Sequence, residues 1–466
     1  MSAEPQVVII GGGFSGAAVA IELLRLAPNG LRVTLLEPRA VPGAGVAYST
    51  AEPSHRINVP AARMQLAGEE EGSFDRWYRD QPAFADDPQA RREDGALYPQ
   101  RGQFGRYVSQ RFAEALRASD GRLVHLREEA LSYGPRGVTT AGGRLLPSDL
   151  LILAVSHPPP ALPRLAVPFR DHPALIANPW RADALADVAP DARVAVMGTG
   201  LTMADTIATL ARLGHRGPVT AFSRHGLLPR GNISGAAEPW PGDYREGSLR
   251  LRLRLRRVRE DIRHAAEQGQ PWQVVLDAVR NQGQSIWQGL SLADRQRFLR
   301  HLRSYWDVHR YRIAPQVADV LSQRQRDGSL KVQAARLTAL EGDAGRLTLT
   351  LSPRRGDPQL LTVDRLILTT GPAHGGLTDS QPLLRDLARD GLIRADALGL
   401  GLDVDSRSRA IGREGAVTPN VLISGPAARG RFGELMGLPQ VADHAAAVAA
   451  EALATLGLDG SFVIHD

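Results

Sequence analysis

The chain has 466 residues, of which 43% are hydrophobic and 23% charged, a composition typical of globular proteins rather than of disordered or fibrous ones. Cysteine is absent, which excludes disulfide frameworks, zinc–cysteine sites, iron–sulfur clusters and dithiol redox chemistry. The net charge of +6 is carried almost entirely by arginine, because Lys331 is the only lysine. Such a surplus of arginine reflects either a GC-rich genome or an affinity for anions.

The first predicted strand, Val7–Ile10, begins so close to the start of the chain that we expect no signal peptide. The most apolar stretch, residues 445–458, contains Glu451 and is shorter than the roughly 20 apolar residues that a membrane span needs. We therefore expect a soluble, cytoplasmic protein that does not bind membranes.

Two segments share one pattern, a buried strand followed by a glycine turn and a helix. Each helix is followed by a further predicted strand, so the pattern indicates two βαβ units of dinucleotide-binding domains. The segments are VVIIGGGFSG at residues 7–16, with a helix at 17–26 and a strand at 32–36, and VAVMGTGLTMAD at residues 194–205, with a helix at 206–213 and a strand at 219–222.

The first glycine turn predicts a site for FAD or NAD rather than NADP. Gly11 permits the tight turn, Gly13 lets the backbone approach a pyrophosphate, and Gly16 allows close packing of helix on strand. Glu37, at the end of the next strand, suits the hydroxyls of a ribose and repels a 2′-phosphate. The predicted contact residues are Gly11, Gly13, Phe14, Ser15, Gly16 and Glu37.

The second turn is a GxGxxM variant, and it predicts an NADPH site. No acid ends the following strand, and Arg224 suits a 2′-phosphate because arginine makes charge-assisted contacts to phosphate. The alternative is that Arg224 is a solvated loop arginine. The helix residue Asp205 is interpreted as packing support rather than as an acid–base group. The predicted contact residues are Gly198, Gly200, Thr202, Ser223, Arg224 and Arg230.

Three other short apolar runs resemble parallel strands that open at their C-terminal ends onto a ligand crevice. They are residues 150–154, 366–369 and 421–424, and the last two are followed by Gly371 and Gly425, which we include among the cofactor-binding residues. Between residues 245 and 325 the apolar spacing becomes helical and predicts a helical insertion. Its clearest stripe consists of Leu251, Leu255, Val258 and Ile262.

A set of motifs across most of the chain resembles the bacterial FAD-NAD(P)-binding family, within the two-dinucleotide-binding-domain flavoproteins. The motifs are GAGVAYST (43–50), HRINVPA (55–61), GTGLT (198–202), SRHGLLPR (223–230), RFLR (297–300) and YWDVHR (305–310). The resemblance implies an α/β fold with two Rossmann-like domains, the second inserted in the first, and a helical insertion. FAD would bind the first domain and NADPH the second.

The implied boundaries are residues 1–160 for the first part of the FAD domain and 161–330 for the NADPH domain, which includes the helical insertion at about 245–325. Residues 331–466 would return to the FAD domain. In this interpretation the strand at 366–369 belongs to the returning segment.

A weaker similarity connects PAARMQ at residues 60–65 and FDRWY at 74–78 with the N-hydroxylating monooxygenases that act on lysine or ornithine. It implies that Met64 and Gln65 line the isoalloxazine, with Asn58 nearby. We take His157, Gln65 and His309 as candidate catalytic residues, and expect no metal.

The leading hypothesis is a monooxygenase in which NADPH reduces FAD and a flavin hydroperoxide oxygenates a nitrogen or sulfur atom. One alternative is an NADPH-dependent flavin reductase or dehydrogenase acting on an organic acceptor. Another is a flavin-binding sensor or interaction protein with an arginine-rich face. We expect a small-molecule substrate and O₂ as partners and no nucleic acid, and leave a homodimer open.

Overall fold

The computed structural model describes residues 4–155, 158, 160–233, 235, 237–246, 250–371 and 374–458. Within these ranges the strands are β1 (Gln6–Ile10), β2 (Arg32–Leu36), β3 (Leu123–Leu126), β4 (Ala130–Gly134), β5 (Gly137–Thr140), β6 (Leu145–Leu146), β7 (Leu150–Leu153), β8 (Leu175–Ile176), β9 (Val194–Met197), β10 (Val219–Ser223), β11 (Leu330–Gly342), β12 (Leu347–Pro353), β13 (Gln359–Val363), β14 (Arg365–Leu368), β15 (Arg409–Ile411) and β16 (Val417–Ile423).

The α-helices are α1 (Phe14–Leu26), α2 (Gly45–Tyr48), α3 (Ser73–Arg79), α4 (Pro82–Asp86), α5 (Arg101–Ala118), α6 (Leu201–Arg212), α7 (Leu251–Glu267), α8 (Trp272–Asn281), α9 (Gly283–Gly289), α10 (Leu292–His301), α11 (Arg303–Arg310), α12 (Pro315–Arg326), α13 (Pro382–Arg389), α14 (Arg429–Phe432) and α15 (Gln440–Thr455). Short 3₁₀ helices cover Ala61–Arg63, Pro88–Ala90, Arg164–Phe169, His374–Asp379 and Gly425–Ala428. No helix of the described chain has both the length and the apolar character required to cross a bilayer.

The first sheet has the strand order β15-β16-β7-β1-β2-β3. Apart from the antiparallel edge pair β15–β16, its strands are parallel, with Val7 opposite Val33 on one side and Leu150 on the other. The central strands are continuous apolar runs because both faces of a parallel sheet are buried. Helix α1 packs against α15, where alanines allow the two helices to approach closely. A separate small sheet has the order β4-β5-β6.

The second sheet has the order β13-β12-β11-β10-β9-β14-β8. Strand β14 pairs with β9, placing Arg365 opposite Val194, and with β8 on its other side. The interpretation of residues 366–369 as part of the returning segment is therefore wrong, as is a return that starts at residue 331, since β11 to β13 also belong to this sheet. The chain rejoins the first sheet later, at β15 and β16. The sequence did not reveal this, because short parallel strands carry no mark of the sheet they join.

The helical insertion contains α7 to α11, and α12 follows it to pack against α6. The predicted helical stripe on α7 is confirmed as one amphipathic face, with Val258 and Ile262 packed against the cluster around Val275. Further along the predicted insertion, Leu302 separates α10 from α11. The insertion thus adds a mainly helical layer beside the two sheets.

Candidate functional site

The first glycine turn, residues 11–16, connects β1 to α1 and forms what we call the first cradle. Gly11 has a φ of +97°, and a Cβ there would lie 2.5 Å from the Ala154 carbonyl oxygen. At Gly16 a Cβ would collide with the Gly11 carbonyl oxygen. Gly13 differs, because the nearest atom to its Cβ would be Gly45 Cα at 3.4 Å. The fold itself therefore requires glycine at 11 and 16, whereas Gly13 leaves room in front of the helix.

The N-terminus of α1 is suited to an anion. Gly13 occupies the N-cap position, no side chain caps the helix, and its first turn contains no acid. The free N–H groups and the dipole of a helix start favour a phosphate. This helix start is compatible with the pyrophosphate of a dinucleotide, and the contacts of Gly13, Phe14, Ser15 and Gly16 with it stay a prediction.

Glu37 stands beside this cradle at the end of β2. Its Oε2 accepts a hydrogen bond from the Gly12 backbone N–H at 2.8 Å, and both carboxylate oxygens accept from the Arg39 guanidinium at 2.9 and 2.8 Å. Burial by itself raises the pKa of Glu37, but the hydrogen bonds from Arg39 and Gly12 outweigh it and hold the pKa below its usual value. An ionised acceptor is thus fixed beside the first cradle, and its contact with a ribose hydroxyl stays a prediction.

Gly425 closes the other side of the first cradle. A Cβ there would collide with Ser15 Oγ, and its backbone N–H donates to His444 Nδ1 at 3.0 Å. Because Nδ1 accepts, the neutral ring carries its proton on Nε2, which donates to Ser408 Oγ at 3.0 Å. Burial lowers the pKa of His444 to about 4. Sequence reasoning listed Gly425 but not Ser408.

The second cradle is the turn Gly198–Thr202 between β9 and α6. Gly198 has a φ of +118°, and a Cβ there would collide with Thr369 at the end of β14. A Cβ at Gly200, the N-cap of α6, would meet nothing within 4 Å. The strand-end residue Gly371 follows β14 and so lies at this second sheet, not at the first. The second cradle has the same open helix start as the first.

The loop after β10 carries the residues predicted to bind NADPH. Thr199 Oγ1 lies 2.8 Å from Ser223 Oγ and donates to the Leu227 carbonyl oxygen at 2.6 Å, so the Ser223 hydroxyl supports the loop itself. The side chains of Arg224 and Arg230 are exposed. Their positions allow contact with a coenzyme phosphate, and that role stays a prediction.

The flavin-side residues predicted by similarity differ in their surroundings. Met64 is buried in the core of the first domain. Gln65 Oε1 is buried and has no hydrogen-bond partner among the described residues. The Asn58 carbonyl oxygen accepts from Asn232 Nδ2 at 2.9 Å, and the same amide donates to Ile313 O at 3.2 Å. Asn232, which sequence reasoning missed, thereby joins the first domain to the second.

A buried ion pair also joins the two domains. Arg101 Nη1, at the start of α5, donates to Asp205 Oδ2 on α6 at 2.9 Å, and Arg101 Nη2 donates to Oδ1 at 3.2 Å. Both side chains are more than 90% buried. Asp205 thus has its oxygens occupied by a structural partner, which agrees with packing support and not with acid–base work.

A cavity of about 560 Å³ lies within the helical insertion. Its walls come from α7 to α11, with Arg429, Gly433 and Glu434 of the returning segment closing one side. Three tryptophans and the apolar stripe of α7 make up much of the wall. The lining residues include Leu255, Trp272, Trp287, Arg303, Trp306 and Asp307.

The predicted catalytic residue His309 is one of the lining residues. Its Nδ1 donates to the Tyr305 carbonyl oxygen at 2.7 Å, and its ring stands edge-on to Trp272, with 5.0 Å between centroids. The structure therefore places His309 at the cavity, and Gln65 is not among the described residues that line it. His157, the third candidate, lies outside the described residues.

Helix α11 connects this cavity to both domains. The Arg230 backbone N–H donates to the Val308 carbonyl oxygen at 2.9 Å, and the His225 ring lies 5.6 Å from the Tyr305 ring, so the loop of the second cradle contacts α11. On the other side, Glu434 accepts from Trp306 Nε1 at 2.9 Å and from Arg310 Nε at 2.7 Å.

The returning segment runs without interruption from the first cradle to the cavity. It starts at Gly425 beside Ser15 and reaches Glu434 after two short helical turns. The cavity therefore adjoins the segments that build both cradles. The partners of Glu434, Trp306 and Arg310, belong to the YWDVHR motif.

Burial raises the pKa of Asp307, a lining residue, and the nearby Arg303 guanidinium offsets this only in part. The Nε atom of Arg303 lies 3.4 Å from Asp307 Oδ2, a loose contact for an ion pair. The pKa of the Asp307 carboxyl group therefore lies above that of an exposed aspartate.

Two mainly parallel sheets, each with a glycine cradle between a central strand and the helix that follows it, define a fold with two Rossmann-like dinucleotide-binding domains, and the predicted fold class is confirmed. Within that class, residues 8–158 match the family model described as FAD-NAD(P)-binding. The predicted resemblance to this family is confirmed for that part of the chain. No curated protein matches the sequence.

Solved structures share the fold over nearly the whole chain. The chain is similar to ornithine hydroxylase (PvdA) from Pseudomonas aeruginosa, with 14% identity, a TM-score of 0.64 and coverage of 97% of this chain and 99% of that one. L-lysine 6-monooxygenase from Pseudomonas syringae has 20% identity, a TM-score of 0.63 and the same coverage. The ornithine N-hydroxylase KtzI from Kutzneria sp. 744 has 16% identity, a TM-score of 0.60 and coverage of 97% and 98%.

Proposed function

We propose that the chain is an NADPH-dependent flavoprotein monooxygenase that oxygenates a nitrogen or sulfur atom of a small molecule. The observation that carries this proposal is the pair of open, uncapped cradles whose connecting segments meet at one cavity. The fold shared with ornithine and lysine hydroxylases supports the same class of chemistry.

The first cradle would hold FAD through the backbone N–H groups at the start of α1, with Glu37 on the adenosine ribose. The second would hold NADPH at the start of α6, with Arg224 on the 2′-phosphate. When bound, FAD accepts a hydride and transfers electrons to O₂. Around it, the chain's own residues orient both coenzymes and exclude water from the place where substrate binds.

The buried Gln65 Oε1 supports the presence of a hydrogen-bond donor from a ligand. A buried amide oxygen without a partner lowers the stability of the protein unless a bound ligand donates to it. Gln65 would therefore accept a hydrogen bond from the flavin or the substrate. At the cavity, Glu434 holds Trp306 and Arg310 in position, and the His309 ring packs edge-on against Trp272.

Three measurements on the purified full chain test the proposal. The visible spectrum is expected to show bound FAD, and one equivalent of NADPH without oxygen is expected to reduce it. Mixing the reduced protein with O₂ in a stopped-flow instrument is expected to show a transient absorbing species before oxidised FAD returns. NADPH consumption that continues at full rate without oxygen would identify a reductase instead. Bound FAD without any NADPH turnover would identify a sensor or interaction protein.

A further inference from the structure

We propose that the cavity in the helical insertion binds a molecule with a large apolar body and one acidic group, and that it does not bind a small free amino acid. This inference rests on the proposed function, because the bound molecule would be the substrate whose nitrogen or sulfur atom is oxygenated. It differs from the amino acids named for the structurally similar enzymes.

The size and chemistry of the walls carry the first half of the proposal. A cavity of about 560 Å³ falls within the range of sites that enclose drug-sized ligands, and it offers more room than lysine or ornithine fills. Its walls are apolar side chains of α7, α8 and α9 together with Trp272, Trp287 and Trp306. Polar amino acids would lose their hydration in such a space without recovering it in hydrogen bonds.

The charge of the lining carries the second half. Among the described residues that line the cavity, four arginines stand against two carboxylates: Arg254, Arg259, Arg303 and Arg429 against Asp307 and Glu434. Glu434 is already paired with Arg310, whose Nη2 is buried without a hydrogen-bond partner among the described residues. The net positive lining favours an anion and repels an ammonium group.

Arg303 is the residue best placed to hold the acidic group. It starts α11, its side chain is about one-third exposed, and it contacts Asp307 only loosely. Arginine binds carboxylates through charge-assisted and often bidentate hydrogen bonds. Since α11 also contacts the loop of the second cradle and Glu434, a ligand anchored at Arg303 would lie between the two coenzyme sites.

The test is a titration of the full chain with dodecanoate, dodecanol, dodecylammonium and L-lysine. Binding is followed by calorimetry and by tryptophan fluorescence, because three of the six tryptophans line the cavity. We expect dodecanoate to bind most tightly, dodecanol more weakly, and dodecylammonium and lysine not to bind. Lysine binding without dodecanoate binding, or tighter binding of dodecylammonium than of dodecanoate, would overturn the proposal.

Two variant pairs locate the site. Leu255→Trp fills the cavity and is expected to weaken dodecanoate binding at least about tenfold, whereas Leu253→Trp, on the exposed side of the same helix, leaves it unchanged. Arg303→Gln is expected to weaken dodecanoate about tenfold or more without affecting dodecanol, whereas the exposed Arg300→Gln affects neither. Equal effects within either pair would place the binding elsewhere.

These binding measurements need neither NADPH nor oxygen, so their outcome does not depend on whether the proposed function is correct. A protein that binds dodecanoate as expected but does not oxidise NADPH would retain the ligand site and lose the monooxygenase assignment. A protein that reacts with NADPH and O₂ but binds none of the apolar acids would retain the function and refute the ligand class.

Discussion

Gly11 and Gly13 lie two residues apart in one turn, but only at Gly11 would a Cβ collide with the protein backbone. A side chain at Gly11 would meet the Ala154 carbonyl oxygen, whereas one at Gly13 would enter the space in front of α1. We expect Gly13→Val to leave the melting temperature of the FAD-free protein close to that of the parent while abolishing FAD retention, since the side chain would occupy the pyrophosphate position. The ratio of flavin to protein absorbance measures this.

Gly11→Ala is the matched control. Its φ of +97° is unfavourable for alanine and its Cβ would press on backbone, so it should lower the stability of the FAD-free protein by more than about 1 kcal/mol. A Gly13→Val protein that purifies with a full complement of FAD would refute the assignment of the first cradle.

Arg224 tests the second cradle. Arg224→Ala is expected to raise the KM for NADPH by about one to two orders of magnitude, equivalent to the roughly 1.5–3 kcal/mol of a hydrogen bond to a charged group. The KM for NADH should change little, because NADH lacks the 2′-phosphate. Arg216→Ala, an exposed arginine before β10 at the opposite end of the strand, should leave both constants unchanged. Equal changes for both coenzymes would contradict the 2′-phosphate role.

At this scale the sequence was informative wherever a residue's role is local. The spacing of Gly11, Gly16 and Glu37 predicts a turn, a helix contact and a strand end, all within one βαβ unit, and the structure has each of them. Asn232 and Arg101 gave no such signal, because their partners across the two domains, Asn58 and Asp205, lie 174 and 104 residues away and only the assembled chain brings them together.

At the scale of elements, two ion pairs join α6 to the first domain: a buried pair between Asp205 and Arg101 at the start of α5, and a more exposed pair between Arg212 and Glu52. Arg101→Gln would leave Asp205 buried without its charge partner, and we expect a loss of about 3–5 kcal/mol in the free energy of unfolding. Arg212→Gln, which breaks the more exposed pair with Glu52, should cost no more than about 1 kcal/mol. Urea unfolding of both variants measures the difference.

A double variant distinguishes the cost of an unpaired buried charge from the cost of lost packing. Arg101→Met combined with Asp205→Leu removes both charges, and it should recover much of the stability lost in Arg101→Gln because no unpaired charge remains. If the double variant is as unstable as the single one, then the cost comes from packing at α5 and α6 rather than from an uncompensated carboxylate.

Elements also show where the sequence misleads. The runs at β7, β14 and β16 are short apolar strands that end near glycine or proline, and each was predicted correctly as a strand. Their grouping into sheets depends on pairing between distant residues, as between β14 and β9, and no local pattern encodes it. The sheet of the inserted domain therefore extends through β14, beyond the boundary at residue 330 that the family resemblance implied.

At the scale of the whole molecule, buried histidines make stability depend on pH. His444 has a pKa of about 4 in the folded protein against an ordinary value of 6.5. As the pH falls from 6.5 to 4, the unfolded chain takes up a proton that the folded chain does not, so the free energy of unfolding falls, by up to roughly 3 kcal/mol for this residue. Above pH 6.5 the contribution is fully present.

His444→Gln keeps an acceptor for the Gly425 N–H but does not titrate, so its stability should fall less between pH 6.5 and 4 than that of the parent. Burial also lowers the pKa values of His55 and His215, and the variant therefore retains part of the pH dependence. The exposed His301→Gln should behave like the parent. Parallel slopes for all three proteins would show that His444 is not the titrating group.

Helix α11 is hydrogen-bonded to the loop of the second cradle at Val308 and to the returning segment through Trp306 and Arg310. A ligand bound in the cavity and NADPH bound in the second cradle would therefore both adjoin elements that are hydrogen-bonded to α11. Thermodynamic reciprocity then sets a strict condition: by whatever factor NADPH alters the affinity for dodecanoate, dodecanoate must alter the affinity for NADPH by the same factor.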